Sequence, residues 1–249
     1  HVERRFHNRH GHLVRSDAGF WSWDLDRQSP SSYLSSIPGH ESARAITGAD
    51  CARNLTCGMP YYYPAFGSIR ETTWIPAPHP RIRHRNQVKI SKERISGDVW
   101  RVNVKVVGPD HMTAVFAIGP EMNRVIRWSF KSAIGHCSVA LDDREAYFLW
   151  HSYGVKPEPW TFWIEVQLTD QLKSVNITIG VTPCLSQQSK QSTEGLSEEA
   201  LPRLLDLAIS GHSIHGEDMV SDEVKSFRSK LPPWTGLIAS TSTYDSFEV

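Results

Sequence analysis

A chain of 249 residues with 27 basic and 27 acidic side chains has no net field to gather nucleic acid or an anionic membrane. Its 39% hydrophobic content and nine Trp exclude a disordered polymer and fit a packed domain, or two small ones. Nowhere do about 18 apolar residues run together, so no segment reads as a membrane span.

The opening residues carry neither Met nor an apolar targeting run, which is expected of the downstream part of a longer precursor. Arg4 to Phe6 and Leu13-Val14 flank Asn8-Arg9-His10-Gly11, a turn signal that predicts a short hairpin. His7, His10 and His12 are candidate metal ligands, since on a strand His10 and His12 would face the same way. Zinc catalysis needs three fixed ligands and a base beside an open position. No His-Glu-x-x-His string exists and no acid stands beside the group, so an exposed His cluster is the stronger reading. Trp21 and Trp23 precede a Ser-rich loop from Ser29 to Ser36. Residues 1–80 read as an irregular, aromatic, Cys-containing part packed on a domain over 81–249, the two forming one integrated domain.

Within that first part Cys51 and Cys57 bracket Asn54-Leu55-Thr56, an acceptor for N-glycosylation. Four cysteines allow three pairings. Proximity favours Cys51 with Cys57, leaving Cys137 and Cys184 to pair or stay free. A disulfide and a glycan both belong to the secretory pathway.

From about Val88 the period becomes two. Trp100, Val102, Val104 and Val106 share one face and Arg101, Asn103 and Lys105 the other, the pattern of a half-buried strand. Further strands are expected at Met112 to Ile118, Val125 to Phe130, Ala146 to Tyr153, Trp160 to Leu168 and Val175 to Val181. The last carries a second acceptor, Asn176, on its polar face. In the Trp160 strand, Trp163 falls on the face opposite Phe162 and Ile164, beside Glu165. That makes Trp163 and Glu165 a candidate binding surface for a sugar ring, against the alternative that Trp163 packs under another element.

After a polar linker from Leu185, Ser197 is placed as the N-cap of a helix with Leu201, Leu204, Leu205 and Ala208 as its stripe. A second helix is expected from Ser221 to Lys230, and a strand within Ile238 to Val249. Short strands joined by Gly/Pro/Asp turns predict a mainly β fold: an antiparallel β-sandwich, jelly-roll-like, with one or two short C-terminal helices.

Catalytic signals are few. No Gly-x-Ser-x-Gly elbow and no glycine-rich phosphate loop occur. Asp24, Asp26, Asp142 and Asp143 sit in turn-like surroundings, and His212, His215, Glu217 and Asp218 read more simply as a loop before a helix. No catalytic residue is assigned.

Several strings resemble, in order, the C-terminal lumenal region of the endoplasmic reticulum metallopeptidases of the Fxna type. They are Arg4-Arg5-Phe6-His7 with Asp17-x-Gly19-x-Trp21, Gly58-Met59-Pro60-Tyr61-Tyr62-Tyr63-Pro64, Trp74-Ile75-Pro76-Ala77-Pro78, Gly108-Pro109-Asp110-His111-Met112, Trp160-x-Phe162-Trp163-Ile164-Glu165-Val166-Gln167, Pro233-Trp234-Thr235 and Thr243-Tyr244-Asp245-x-Phe247. The polar stretch from about Leu185 to His212 and the content of the Cys51 loop depart from that pattern. The resemblance implies a parent with an N-terminal anchor, membrane spans and an upstream lumenal zinc peptidase domain of aminopeptidase type. This chain would be the last lumenal domain, without zinc or any other cofactor of its own. Its partners would be the upstream peptidase and transmembrane regions of the same protein, together with N-glycans.

Overall fold

A computed structural model of the chain describes residues 1–23, 37, 39–60, 72–118, 124–131, 134, 139–141, 144–154, 156–168, 203–214, 220–233 and 241–249. The strands are β1 Val2–His7, β2 Leu13–Trp23, β3 Arg44–Ala45, β4 Thr72–Pro76, β5 Gln87–Ser96, β6 Val99–Val107, β7 His111–Ile118, β8 Arg124–Trp128, β9 Val139–Leu141, β10 Arg144–Ser152, β11 Trp160–Gln167, β12 Leu205–His212 and β13 Ser242–Glu248. The helices are α1 Gly48–Arg53 and α2 Asp222–Arg228. Nine strands form one sheet in the order β3-β4-β2-β1-β13-β12-β7-β10-β9, and β5-β6-β11-β8 form the other. Among the described residues every pairing is antiparallel except β1 with β13, which is parallel.

The mainly β sandwich follows from the alternation. Val102, Val104 and Val106 of β6 and Phe162, Ile164 and Val166 of β11 turn inward against Met112, Phe116, Leu205, Leu207 and Ile209. The central strands of the larger sheet read as nearly continuous apolar runs because both of its faces are covered. On the far face Val115, Ala117, Ala146, Ala208 and Tyr244 lie beneath Ile46, Cys51, Leu55, Cys57 and Met59. The cap is therefore a second layer of core.

The expected hairpin forms around Asn8, whose Oδ1 accepts from the backbone N–H groups of His10 and His12, each at 3.0 Å. Gly11 supplies the φ of +75° that the turn needs. Ser221 caps α2 by accepting from Val224 N–H at 3.3 Å. Phe227 of that helix stacks on Phe20 at 4.1 Å, fixing it to β2.

Two expectations give way. Leu205 to His212 is not helical: β12 hydrogen-bonds to β7 on one side and β13 on the other. Leu204, Leu205 and Ala208 have helical spacing, but Leu205, Leu207 and Ile209 also alternate, and two waiting strand edges decide between the patterns. The stretch before Pro80, expected as irregular, contributes β1 to β4. The loop at 29–36, the strand at 175–181 and the beginning of the Ser197 helix lie outside the described residues.

Where the sheets connect, Arg5 donates to Asp245 at 2.8 Å and to the carbonyl of Asn86 at 2.7 Å. The Asn86 amide donates to Asp245 at 3.3 Å and to Ile209 O at 3.4 Å. Burial pushes the Asp245 carboxyl up to about 6, against the opposing pull of Arg5. Gly108 and Gly211 make room for Asn86: a Cβ on Gly108 would sit 2.6 Å from its Oδ1, and one on Gly211 would overlap that oxygen and come within 2.9 Å of Pro109. Gly211→Ala is expected to cost about 2–3 kcal/mol, read as a lowered urea midpoint. In a cycle with Asn86→Ala the two costs should sum to less than independent sites would give.

At the same end His111 and His212 meet edge-on at 5.3 Å. Burial, then the neighbouring His111, lower His212 to about 4. As pH falls below the unfolded value of about 6.5, the unfolded chain takes up this proton while the folded chain does not until about 4, so His212 makes stability rise with pH across that window. Chemical denaturation at pH 4.5 and 7 should show His212→Gln flattening this rise by about 2 kcal/mol.

Candidate functional site

The registers of β5, β6, β11 and β8 lay out the outer face of the smaller sheet as rows. Glu93, Arg101, Glu165 and Arg127 form one row; Ser91, Asn103 and Trp163 the next; Lys89, Lys105 and Thr161 the third. Although on an outer face, Glu165 is only 2% exposed. Arg101 donates to it at 2.7 and 3.2 Å, and Arg127 stands 3.8 Å away. Glu165 in turn holds the Arg101 guanidinium above its ordinary value. Arg101 also reaches Glu93 at 3.4 Å.

That ladder covers Trp163. The Arg101 guanidinium lies 4.7 Å from the indole centroid and Arg127 5.9 Å, so the ring is half-buried under cations, between the two sequence readings of a platform beside a carboxylate and a ring packed under another element. Trp163 also lines a groove of about 1470 Å³. One side of the groove is the run Val88 to Lys92 of β5 with Lys105 and Thr161, and the other is the Asn8–His12 turn with Phe247 to Val249.

The structure thus brings His10, His12 and Trp163 to one place although 151 residues separate the latter two (163 − 12). His7 is turned away: it stacks on Phe247 at 4.4 Å with Nδ1 3.3 Å from the Ser246 carbonyl, and burial lowers its pKa. The His10 and His12 rings are 6.1 Å apart. Among the described residues no group of three or more His, Cys, Asp or Glu is placed to hold a metal. Sequence reasoning put Lys105 on the polar face of its strand but did not find Lys89 opposite it, because cross-strand register is not written in either strand alone.

Cys51 and Cys57 are joined in a disulfide. Inside its loop, Asn54 Nδ2 donates to Asp50 O at 3.2 Å, and the Thr56 hydroxyl, 1% exposed, donates to Met59 O at 2.6 Å. Thr56 and Cys57 both take the left-handed backbone conformation. Tyr244 of β13 donates its hydroxyl to Leu55 O at 2.7 Å, tying the loop to the sheet. Cys137, Cys184 and Asn176 lie outside the described residues.

The recurring strings are explained by contacts that hold strands. Arg4 makes a paired donation to Asp17 at 2.6 and 2.9 Å while its guanidinium lies 3.9 Å over Trp74. Gly19 is small because a Cβ there would come within 2.6 Å of the Trp74 ring. Tyr153 donates to Gly108 O at 2.7 Å.

Removing Arg101 strands a buried carboxylate and uncovers the indole. Arg101→Ala is expected to lower the urea midpoint and increase acrylamide quenching of Trp163. Adding Glu165→Gln should restore the midpoint but not the quenching, because the lost charge partner is then no longer needed while the cover is still missing.

Compared with known proteins, residues 1–247 match the family described as endoplasmic reticulum metallopeptidase 1, C-terminal domain. Endoplasmic reticulum metallopeptidase 1 of mouse, rat and human are each 28% identical to the chain over 99% of its length. The chain spans 24% of each relative, about a quarter. With a match across nearly its whole length, this chain belongs to the family of the endoplasmic reticulum metallopeptidase 1 C-terminal domain.

Proposed function

We propose that the chain serves as a noncatalytic lumenal domain of an endoplasmic reticulum zinc metallopeptidase, shaping substrate access or bracing the enzyme. The observation that carries this reading is where the family strings go: Arg4, Asp17, Gly19, Trp74, Gly108 and Asp245 hold strands to one another. Zinc, anchor and membrane spans belong on this reading to the rest of the parent, as does the peptide-bond chemistry. The reading is tested with the purified chain, first verified as folded by cooperative unfolding, and with the intact protein. The intact protein should hydrolyse peptides and lose the activity to a chelator, whereas the chain should not hydrolyse them. Chelator-sensitive hydrolysis by the chain would overturn the noncatalytic role.

A second reading, a glycan- or protein-binding module of the secretory pathway, draws on the groove that Trp163 lines.

The lumenal location also bears on Asn54. An acceptor triplet must present its amide and hydroxyl together to the transferring enzyme, and in the closed loop Thr56 is buried and its hydroxyl engaged. Glycan addition at Asn54 therefore belongs to the interval before Cys51 and Cys57 join. Glycopeptide mass spectrometry should find Asn54 occupancy low in the wild type and raised in Cys51→Ser; occupancy equally low in both would reject loop closure as what ends glycan addition.

A further inference from the structure

We propose that the groove beside β5 receives an extended acidic peptide, paired along the edge of that strand opposite β6 and held by Lys89 and Lys105. The inference rests on the substrate-access reading above and gives it a ligand class.

Three observations converge. Within the described residues β5 pairs only with β6, so no described strand lies along its other edge. The consecutive residues Val88 to Lys92 of this edge line the groove, and a strand edge presents a ladder of backbone donors and acceptors that an extended peptide can complete. A peptide, unlike a sugar, matches that ladder.

Charge supplies the second argument. Lys89 and Lys105 are direct cross-strand partners, and like charges so placed repel. Both are exposed, and neither makes an ion pair or side-chain hydrogen bond among the described residues. The remaining lining adds Arg9, Lys92, His10 and His12 against one acid, Glu248, which stands 3.8 Å from Arg9. An acidic ligand would relieve the repulsion between the two lysines and meet a lining in which basic side chains outnumber the one acidic side chain.

Periodicity supplies the third. A strand added to β5 turns every second side chain toward the Lys89 face. An acid opposite Lys89 would then extend the cross-strand row of Lys89, Lys105 and Thr161, and the acids two residues to either side would stand level with Gln87 and Ser91. Lysines on an edge also discourage pairing with apolar strands, so an acidic strand is the one this edge admits.

The test uses the intact protein and two labelled peptides of equal length, one alternating Glu with Val and one alternating Lys with Val. The acidic peptide should bind, weaken about tenfold as salt shortens the screening length from about 10 to 3 Å, and slow amide exchange at Val88 to Lys92. Lys89→Ala combined with Lys105→Ala should weaken binding about tenfold while the thermal midpoint holds or rises, since a repulsion is removed. Equal binding of the two peptides, unchanged exchange in β5, or unchanged affinity in the double variant would overturn the proposal. So would a sulfated oligosaccharide that displaces the peptide while protecting no β5 amide, because the ligand would then be a glycan. Chelator-sensitive cleavage of the acidic peptide separates the two readings. If the double variant loses binding but keeps its kcat/KM, the substrate-access role fails and the peptide site stands.

Discussion

The ion and amide knot of Arg5, Asp245 and Asn86 sits where the first strand, the last strand and the entry to the second sheet come together. A buried carboxylate is tolerated only with its partners in place, and each partner here comes from a different part of the chain. Misplacing any one strand leaves a charge or an amide unmatched in the core. β1 and β13 are thereby fixed side by side, β2 and β4 extend the sheet from one flank, and β12 and β7 extend it from the other. Asn86 precedes β5, so the smaller sheet begins from the same anchor.

The centre of the larger sheet is buried on both faces, which divides the molecule into unequal layers. One interface is broad and aliphatic, between the two sheets. The other is narrow: small residues such as Ala117, Ala146 and Ala208 let the disulfide-closed cap come close, and Tyr244 bonds to it. The exposed face of the smaller sheet is left as the polar surface, organised by the Arg101–Glu165 ladder. The groove lies at the edge of that surface, where Phe162, Trp163 and Phe247 of the family strings meet β5 and the Asn8–His12 turn.

Sequence was informative where one strand decided its own fate. The alternation in Val102, Val104 and Val106, the turn at Asn8, and the cap at Ser221 are local, and each is visible in a few residues. The β12 sequence is ambiguous by itself because Leu204, Leu205 and Ala208 satisfy a helical stripe; only the neighbouring edges of β7 and β13 favour the strand. β1 and β2 were recognised as a hairpin, but nothing near Arg5 indicates that its partner is Asp245. The groove has the same character. Trp163 and His12 were each singled out, but their meeting and the Lys89–Lys105 pair depend on register and on how the sheets stack. Long-range pairing is what a single sequence leaves unwritten.

The parallel pairing of residues 2–7 with 242–247 also sets an order in time. At about 5–20 residues per second, roughly ten seconds to a minute separates synthesis of the two strands. Through that interval β1 has its hairpin partner on one side and an open edge on the other, and β12, once made, waits with its own. The centre of the larger sheet is the last part that can close. Until then the nascent domain presents two strand edges with a gap of one strand between them, a shape that a chaperone can hold and that only β13 can fill.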